Sequence, residues 1–190
     1  MHNRTKTLMF PLAVITLIVS VICVSPSWAA NQSNYDLFKR VQEHVLRYSF
    51  FTVFDDVSAE ITKNRHVILT GHVLGDHKKE DIAKRVKSVD GVTNLINNIQ
   101  VLPASQLDDH LRYQVARVIY SNPNFWHYFS RNNPSIHIVV KRGHVTLTGV
   151  VDTEIDRTLA GSLATQFDAF SVTNNLRLRS EVAADIEALG

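Results

Sequence analysis

Hydrophobic and polar residues follow a pattern that occurs twice along this chain. The segment 66–73 (HVILTGHV) recurs as 144–151 (HVTLTGVV), with apolar residues at alternate positions in both segments. Further alternating segments recur in the same order on either side, 57–61 with 136–140 and 95–101 with 172–178. Three matches in the same order indicate an internal duplication, so the chain is predicted to contain two copies of one unit.

Each copy combines the periodicity of helices with that of strands. The apolar positions that predict the first helices are Leu37, Val41 and Val45 in copy one and Leu111, Val115 and Ile119 in copy two. Two alternating strands follow, joined by turns at 64–65 and 142–143. The second helices are predicted from Ile82, Val86 and Val89 and from Ile155, Leu159 and Leu163, and a final alternating strand closes each copy. Ser105 followed by Asp108 predicts an N-cap for the first helix of copy two.

These elements predict an α+β protein made of two tandem α-β-β-α-β units. A hairpin pairs its strands antiparallel, whereas a helix between two strands favours a parallel pair. Each unit is therefore expected to be a three-stranded mixed sheet covered by two helices. The predicted boundaries are 33–103 and 104–180, with 181–190 as a C-terminal tail. Because a unit of about 70 residues has a thin core, the two copies are expected to dock against each other.

The first 30 residues have the layout of a secretory signal peptide. Arg4 and Lys6 precede a 17-residue apolar stretch, 8–24, and Ser27 and Ala29 supply the small residues of a cleavage site. Residues 1–30 are therefore predicted to be removed on export to the periplasm. An uncleaved anchor remains the alternative, since the apolar stretch is close to the lower limit for crossing a bilayer.

Removal of this segment changes the composition of the exported protein. Residues 1–30 hold two of the 20 basic residues and none of the 18 acidic ones, so 18 of each remain and the formal charge is zero. A neutral chain argues against nucleic acid as a partner. Cys23, the only cysteine, lies within the signal, so neither a disulfide nor thiol chemistry is expected in the exported protein.

Two segments carry a family resemblance. Copy two contains G-x-V-x-L-x-G-x-V at 143–151, and copy one contains G-V-x-x-L-x-N-x-I-x-V at 91–101. The combination resembles the BON domain of bacterial envelope proteins, and a signal followed by two such units is similar to the plan of osmotically inducible periplasmic proteins. Arg65 and Ala169 depart from the pattern in turns. The resemblance implies a non-catalytic role in the periplasm, in binding phospholipid surfaces or other envelope components, and in tolerance of osmotic stress.

The sequence offers no arrangement of catalytic residues. Adjacent carboxylates such as Glu80-Asp81 and Asp108-Asp109 diverge by about 100° on a helix and do not form a dyad. No Gly-x-Ser-x-Gly motif is present. The chain is therefore predicted not to be an enzyme and to need no cofactor. A site for a small ligand would require a pocket with convergent polar groups, which the sequence does not indicate.

The histidines, the glycines and a lysine-rich segment are interpreted as structural or solvent-exposed residues. His66 and His72 are predicted to point to solvent, and the absence of His-x-x-x-His and of a cysteine partner argues against a metal site. The basic stretch 78–87 is interpreted as a solvated helix face. Four glycines are predicted to serve backbone geometry at turns and strand ends, namely Gly71, Gly91, Gly143 and Gly149.

Aromatic residues are the strongest indication of a binding surface. They cluster between the first helix and first strand of each copy, at 48–54 and 125–129. Some are expected to cap the sheets or bridge the copies, and others are expected at a membrane interface, beside arginines facing anionic headgroups. The residues predicted to contact a membrane or a partner are Arg112, Arg117, Phe125, Trp126, Tyr128 and Arg131.

Two functions are consistent with this pattern. The first is peripheral binding to anionic phospholipid, which would support the integrity of the envelope. The alternative is a protein-interaction or stress-protective module that binds envelope proteins through exposed sheet edges.

Overall fold

The computed structural model of the chain describes residues 27–62, 64–129 and 134–188. Most of the predicted signal peptide lies outside these ranges, and residues 27–30 form the first turn of a helix. Within the described ranges, no helix combines the length and apolar character needed to span a membrane. Cleavage of the signal and its alternative, a retained anchor, stay predictions.

Copy one contains two helices and a sheet. Its elements are α1 (Ser27–Leu46), β1 (Asp56–Ile61), β2 (His66–Val73), α2 (Asp76–Lys87), β3 (Asn94–Asn97) and β4 (Gln100–Val101). β1 pairs antiparallel with β2, and β3 and β4 both pair parallel with β2. The predicted α-β-β-α-β order and the mixed sheet are confirmed for this copy.

Copy two repeats this plan with three additions. Its elements are α3 (Gln106–Tyr120), a 3-10 turn (Pro123–Phe125), α4 (Trp126–Phe129), β5 (Ile136–Lys141), β6 (His144–Val151), α5 (Glu154–Ala164), β7 (Ser171–Asn174), β8 (Arg177–Leu178) and α6 (Arg179–Ala188). The strand pairing is the same as in copy one. The 3-10 turn and α4 fill the connection before β5, and α6 forms from the segment predicted to be a tail.

The third strand of each copy is split in two, whereas a continuous strand was predicted. In copy one, the Asn97 side chain accepts a hydrogen bond from the Ile99 amide at 3.2 Å and donates to the Lys79 carbonyl at 3.2 Å. In copy two, Asn174 accepts from the Leu176 amide at 3.3 Å and donates to the Arg157 carbonyl at 2.8 Å. Each asparagine thus draws the strand toward the preceding helix and interrupts the ladder.

Each copy has its own apolar core between its helices and its sheet. The predicted first-helix residues are buried in both copies, with Leu37 and Val41 fully enclosed in copy one. The second helix of copy two differs from the prediction, because Ile155 is 75% exposed. Leu163 is buried and Leu159 packs against the core, as predicted, but the first buried position of α5 is Asp156, and the buried face also includes Ala160 and Ala164.

Gly71 and Gly149 occupy equivalent places where the two strands of a hairpin approach closely. Their φ angles are 113° and 110°. A Cβ at Gly71 would lie 2.1 Å from the carbonyl oxygen of Asp56, and one at Gly149 would lie 2.0 Å from that of Ser135. Only glycine fits such a conformation next to a backbone oxygen.

Asp108 connects the first helix of copy two to the β5–β6 turn. The Ser105 hydroxyl caps α3 by accepting from the Asp108 amide at 3.2 Å, as the capping motif predicted. The Asp108 carboxylate accepts from the Arg142 and Gly143 amides, both at 2.8 Å. Both turn residues have positive φ, 54° and 78°, and the carboxylate satisfies their amides in this tight turn.

The two copies dock through the segment between α1 and β1. Phe54 belongs to copy one in sequence but packs within the core of copy two, with its ring 5.2 Å from that of Tyr113 in α3. The Val53 carbonyl accepts from the Ile138 amide of β5 at 2.7 Å. The expected docking of the copies is therefore present and centres on one phenylalanine.

Candidate functional site

A sharp reversal after α3 presents aromatic side chains to solvent. α3 ends at Tyr120 with Ser121 as its C-cap, and the Asn122 side chain caps the following 3-10 turn by accepting from the Asn124 amide at 3.0 Å. Pro123 fits the first position of this turn, where an amide hydrogen would lack a partner. The chain then continues directly into α4.

Two aromatic residues fix this segment to the core. Phe125 and Tyr128 are fully buried. The Tyr128 hydroxyl donates to the Asp156 carboxylate at 2.9 Å and accepts from the Asp152 amide at 2.6 Å. Burial raises the pKa of Tyr128 to about 12, so the phenol stays protonated and keeps donating to Asp156.

The neighbouring aromatic residues point outward. Trp126 and Phe129 are 62% and 59% exposed. Each follows a buried aromatic residue by one position, and the two exposed rings are three residues apart, so they share one side of the turn. Because Phe125 and Tyr128 pack into the core on the opposite side, they fix the backbone that carries the two exposed rings.

α3 extends this surface. Tyr113 is 65% exposed and Arg117, one turn later, is also exposed. Tyr120 lies on the same side of the helix, packs against Phe129 at a ring distance of 5.2 Å and donates to the Ile136 carbonyl. We call the surface formed by Tyr113, Arg117, Trp126 and Phe129 the aromatic ridge.

Three of the predicted contact residues lie elsewhere. Arg112 is 1% exposed, forms an ion pair with Asp109 and donates to the Val140 carbonyl at 2.7 Å, so it cannot reach a headgroup. Phe125 and Tyr128 are core residues, as described above. Their prediction as contact residues was therefore wrong. Arg131 lies outside the described residues, which leaves Arg117 and Trp126 on the ridge.

A buried ion pair in copy one replaces the expected solvated lysine. Lys78 is 7% exposed, and its ammonium group lies 2.6 Å from the fully buried carboxylate of Asp55. Asp55 also accepts from Thr52 and from the Leu74 amide. The carboxylate thus ties the segment after α1 to the start of α2. All of its described contacts are structural, and the interpretation of Lys78 as solvated was wrong.

The histidines form no metal site among the described residues. His66 and His72 are half-buried, whereas they were predicted to point to solvent. Burial lowers the pKa of His72, and the nearby Lys141 ammonium of copy two lowers it further. His72 therefore belongs to the junction between the copies.

Two cavities lie outside the aromatic ridge. One, of about 610 Å³, lies at the opposite end of α3 beside Leu107 and Phe170, which are 83% and 81% exposed. The other, of about 550 Å³, lies between the two copies and is lined by α1, β1, β5 and β6. In neither cavity does a described hydroxyl group form a hydrogen bond with a histidine or carboxylate side chain.

An ordered, exposed aromatic surface on a duplicated α-β-β-α-β scaffold is typical of a binding module. The family model described as BON domain matches residues 37–103 and 108–180, so the chain belongs to the BON-domain family. Membership in this family indicates a non-catalytic role in the bacterial envelope.

Comparisons beyond the family are more distant. No curated protein matches the chain. Among solved structures, the chain is similar to the C-terminal domain of CdsD, the structural protein of the type III secretion system of Chlamydia trachomatis. The identity is 17% and the TM-score is 0.32, and the match covers 80% of this chain and 69% of that chain. A second CdsD structure gives 13% identity and a TM-score of 0.28, covering 80% and 97%.

Proposed function

We propose that this chain is a periplasmic envelope protein that binds phospholipid membrane surfaces through the aromatic ridge. The observation that carries the proposal is the exposure of Trp126 and Phe129 on a turn fixed by buried Phe125 and Tyr128. Aromatic rings at a membrane interface place an apolar body among the lipids, and Trp keeps its N–H in the polar layer.

The apolar contribution to binding follows from the exposed ring area. A Phe or Trp side chain presents about 150–250 Å², of which the ridge leaves roughly three-fifths exposed. At about 25 cal/mol per Å², complete burial of Trp126 or Phe129 would contribute roughly 2–4 kcal/mol each. Two rings together therefore support reversible, peripheral binding.

Electrostatic attraction is expected to be secondary. Within the described ranges, Arg117 is the cation of the ridge, and one arginine close to an anionic surface contributes on the order of 1 kcal/mol. Arg112 is unavailable for contact with lipid because its side chain is buried between α3 and β5. We therefore expect anionic lipid to strengthen binding several-fold, and salt to weaken it by a similar factor.

Co-sedimentation with vesicles tests the proposal. The protein should sediment with phosphatidylglycerol vesicles, and less with phosphatidylcholine vesicles. Trp126→Ala and Phe129→Ala should each weaken binding at least tenfold. Phe170→Ala is the matched control, because it removes an exposed aromatic ring at the other end of α3 and should leave binding unchanged. Equal binding by all three variants would reject the ridge as the contact.

The alternative, binding of envelope proteins through exposed sheet edges, has weaker support. One edge of each sheet consists of segments of four and two residues, separated by the asparagine break, and the six-residue edges β1 and β5 contact each other at the junction between the copies. Short, interrupted edges offer few consecutive backbone groups to a partner strand. Crosslinking in cells that trapped specific proteins at β3 or β7, with vesicles ignored, would favour this alternative.

Support of envelope integrity and of osmotic tolerance is the expected consequence of surface binding. A deletion strain carrying Trp126→Ala should then survive osmotic shock as poorly as the deletion strain itself. Mass spectrometry of the exported protein should give an N-terminus at Ala30 or Asn31, as expected for a cleaved signal.

A further inference from the structure

The cleft between the two copies has the size of a small-molecule site. Its volume of about 550 Å³ falls within the range of roughly 300–1,000 Å³ found for such sites. It is separate from the aromatic ridge, whose residues do not line it. One wall comes from copy one and is mainly apolar, with Phe38 and Val45 of α1 and Val57 of β1, although Gln42, Asp56 and Ser58 also line it.

The opposite wall comes from the outer face of the copy-two sheet and is polar. His137 of β5 and Thr148 of β6 are directly paired across the strands, and Ser135 lies two residues before His137 on the same face. The Ser135 Oγ, His137 Nδ1 and Thr148 Oγ1 atoms are enclosed, and none has a hydrogen-bond partner in the described part of the chain.

Such a group of atoms is unusual. Buried polar atoms in proteins are nearly always hydrogen-bonded, and each unpaired one costs stability. Three of them on one wall, facing an apolar wall across a cleft, match a molecule with hydrogen-bonding groups at one end and an apolar chain at the other. A threonine and a serine provide donors as well as acceptors for hydroxyl and carbonyl groups.

The charges of the cleft specify the class of ligand further. Asp56 and Arg177 are the charged side chains that line it, and they have opposite signs. Arg177 is already paired with Asp185 of α6 at 2.6 Å. Burial lowers the pKa of His137, more than the Asp56 carboxylate and the carbonyl groups of Thr52 and Asp55 raise it, so its ring is mainly neutral at pH 7. Because Arg177 is paired with Asp185, the described lining offers an anionic head group no unpaired cation and presents the Asp56 carboxylate, which favours an uncharged ligand over an anion.

We propose that the cleft binds one uncharged, single-chain amphiphile of the monoacylglycerol type. Its hydroxyl and ester groups lie on Ser135, His137 and Thr148, and its acyl chain lies along the wall formed by α1. This site goes beyond the surface contact of the ridge, because it takes up a single lipid molecule between the copies.

Displacement of a fluorescent probe tests the site. N-phenyl-1-naphthylamine, an uncharged apolar dye, should bind the protein and be displaced by monopalmitoylglycerol below its micelle concentration. Palmitate has the same chain with a charged head, and glycerol has the same head without a chain. Palmitate should displace the dye at least fivefold less well, and glycerol should not displace it. Equal displacement by palmitate would overturn the assignment of an uncharged ligand.

Two substitutions connect binding to the cleft. Thr148→Val removes a hydroxyl at nearly constant shape and should weaken monopalmitoylglycerol about fivefold, the usual value of one hydrogen bond, while leaving the free protein as stable or more stable. Thr146→Val, on the same strand but outside the cleft, is the matched control. Ser58→Trp places a large ring at an exposed position of the rim and should block the site.

Each outcome decides the proposal. Weakened binding in both cleft variants, with Thr146→Val and Trp126→Ala unchanged, would support it. Absence of displacement by monopalmitoylglycerol, or unaltered displacement in Thr148→Val, would overturn it. Circular dichroism establishes that each variant is folded. Since Trp126→Ala affects only the ridge, loss of vesicle binding and loss of cleft binding are distinguishable.

Discussion

Phe54 provides a direct measure of how strongly the two copies are coupled. Its ring is 9% exposed and lies in the core of copy two, against Tyr113, although its backbone belongs to copy one. The substitution Phe54→Ala removes this ring and leaves a cavity at the junction. Truncation of a buried phenylalanine costs about 3–5 kcal/mol in free energy of unfolding.

The local structure narrows this expectation. The Val53 carbonyl would still accept from Ile138, so the backbone contact between the copies persists. We therefore expect a loss near 3 kcal/mol, which corresponds to a decrease in Tm of roughly 6–12 °C for a protein of this size. The loss should fall mainly on copy two, whose core contains the ring.

Urea denaturation and hydrogen exchange measure this effect. Amides of β5 and β6 should exchange faster in Phe54→Ala, whereas those of β2 should change less. Phe50→Ala is the control, because Phe50 is 64% exposed and its loss should cost less than about 0.5 kcal/mol. If the two variants were equally stable, or if Phe54→Ala lost under about 1 kcal/mol, Phe54 would not be the anchor described here.

Three further predictions concern the scaffold. Asp108→Asn should cost about 1.5–3 kcal/mol, measured by urea denaturation, because the neutral side chain no longer holds both amides of the β5–β6 turn with charge-assisted bonds. Gly149→Ala should destabilise the protein by more than about 2 kcal/mol, because its Cβ would lie 2.0 Å from a backbone oxygen. Gly75→Ala is the control and should cost under about 1 kcal/mol, because Gly75 has an extended φ and its Cβ would meet only the movable His77 ring. Burial lowers the pKa of His137 below its unfolded value of about 6.5, so the unfolded chain takes up a proton at higher pH than the folded protein does. Tm should therefore fall as the pH drops below about 6.5, until the folded-state pKa is passed. His137→Gln should reduce this dependence, and an unchanged pH profile would contradict it.

The repeated fold could be predicted because its signals are local. Apolar residues at four-residue spacing marked α1 and α3, and Leu37, Val41 and Val115 are fully buried. The hairpins followed from period-two alternation, and the N-cap at Ser105 followed from its spacing to Asp108. These features depend on residues close together in sequence, where spacing alone decides the structure.

The candidate site could be predicted only in part, because its details depend on distant contacts. Arg112 looks like a surface residue by type, but it follows Leu111 on the buried side of α3, and its guanidinium reaches the Val140 carbonyl across the core. The exposure of Ile155 in α5 was missed because the alanines of the buried face, such as Ala160, give a weak hydrophobic signal. The alternation of buried and exposed rings between Phe125 and Phe129 depends on the 3-10 turn, which the aromatic composition did not reveal.

The fluorescence of Trp126 tests most directly whether the aromatic ridge contacts lipid. Of the two tryptophans, Trp28 lies in the segment predicted to be removed, so in protein that starts at Asn31 the emission reports Trp126 alone. On addition of phosphatidylglycerol vesicles, the emission should shift to shorter wavelength and be quenched by brominated acyl chains, since the indole moves from water into the interface. Emission that stays unchanged while the protein sediments with the vesicles would show that another surface makes the contact.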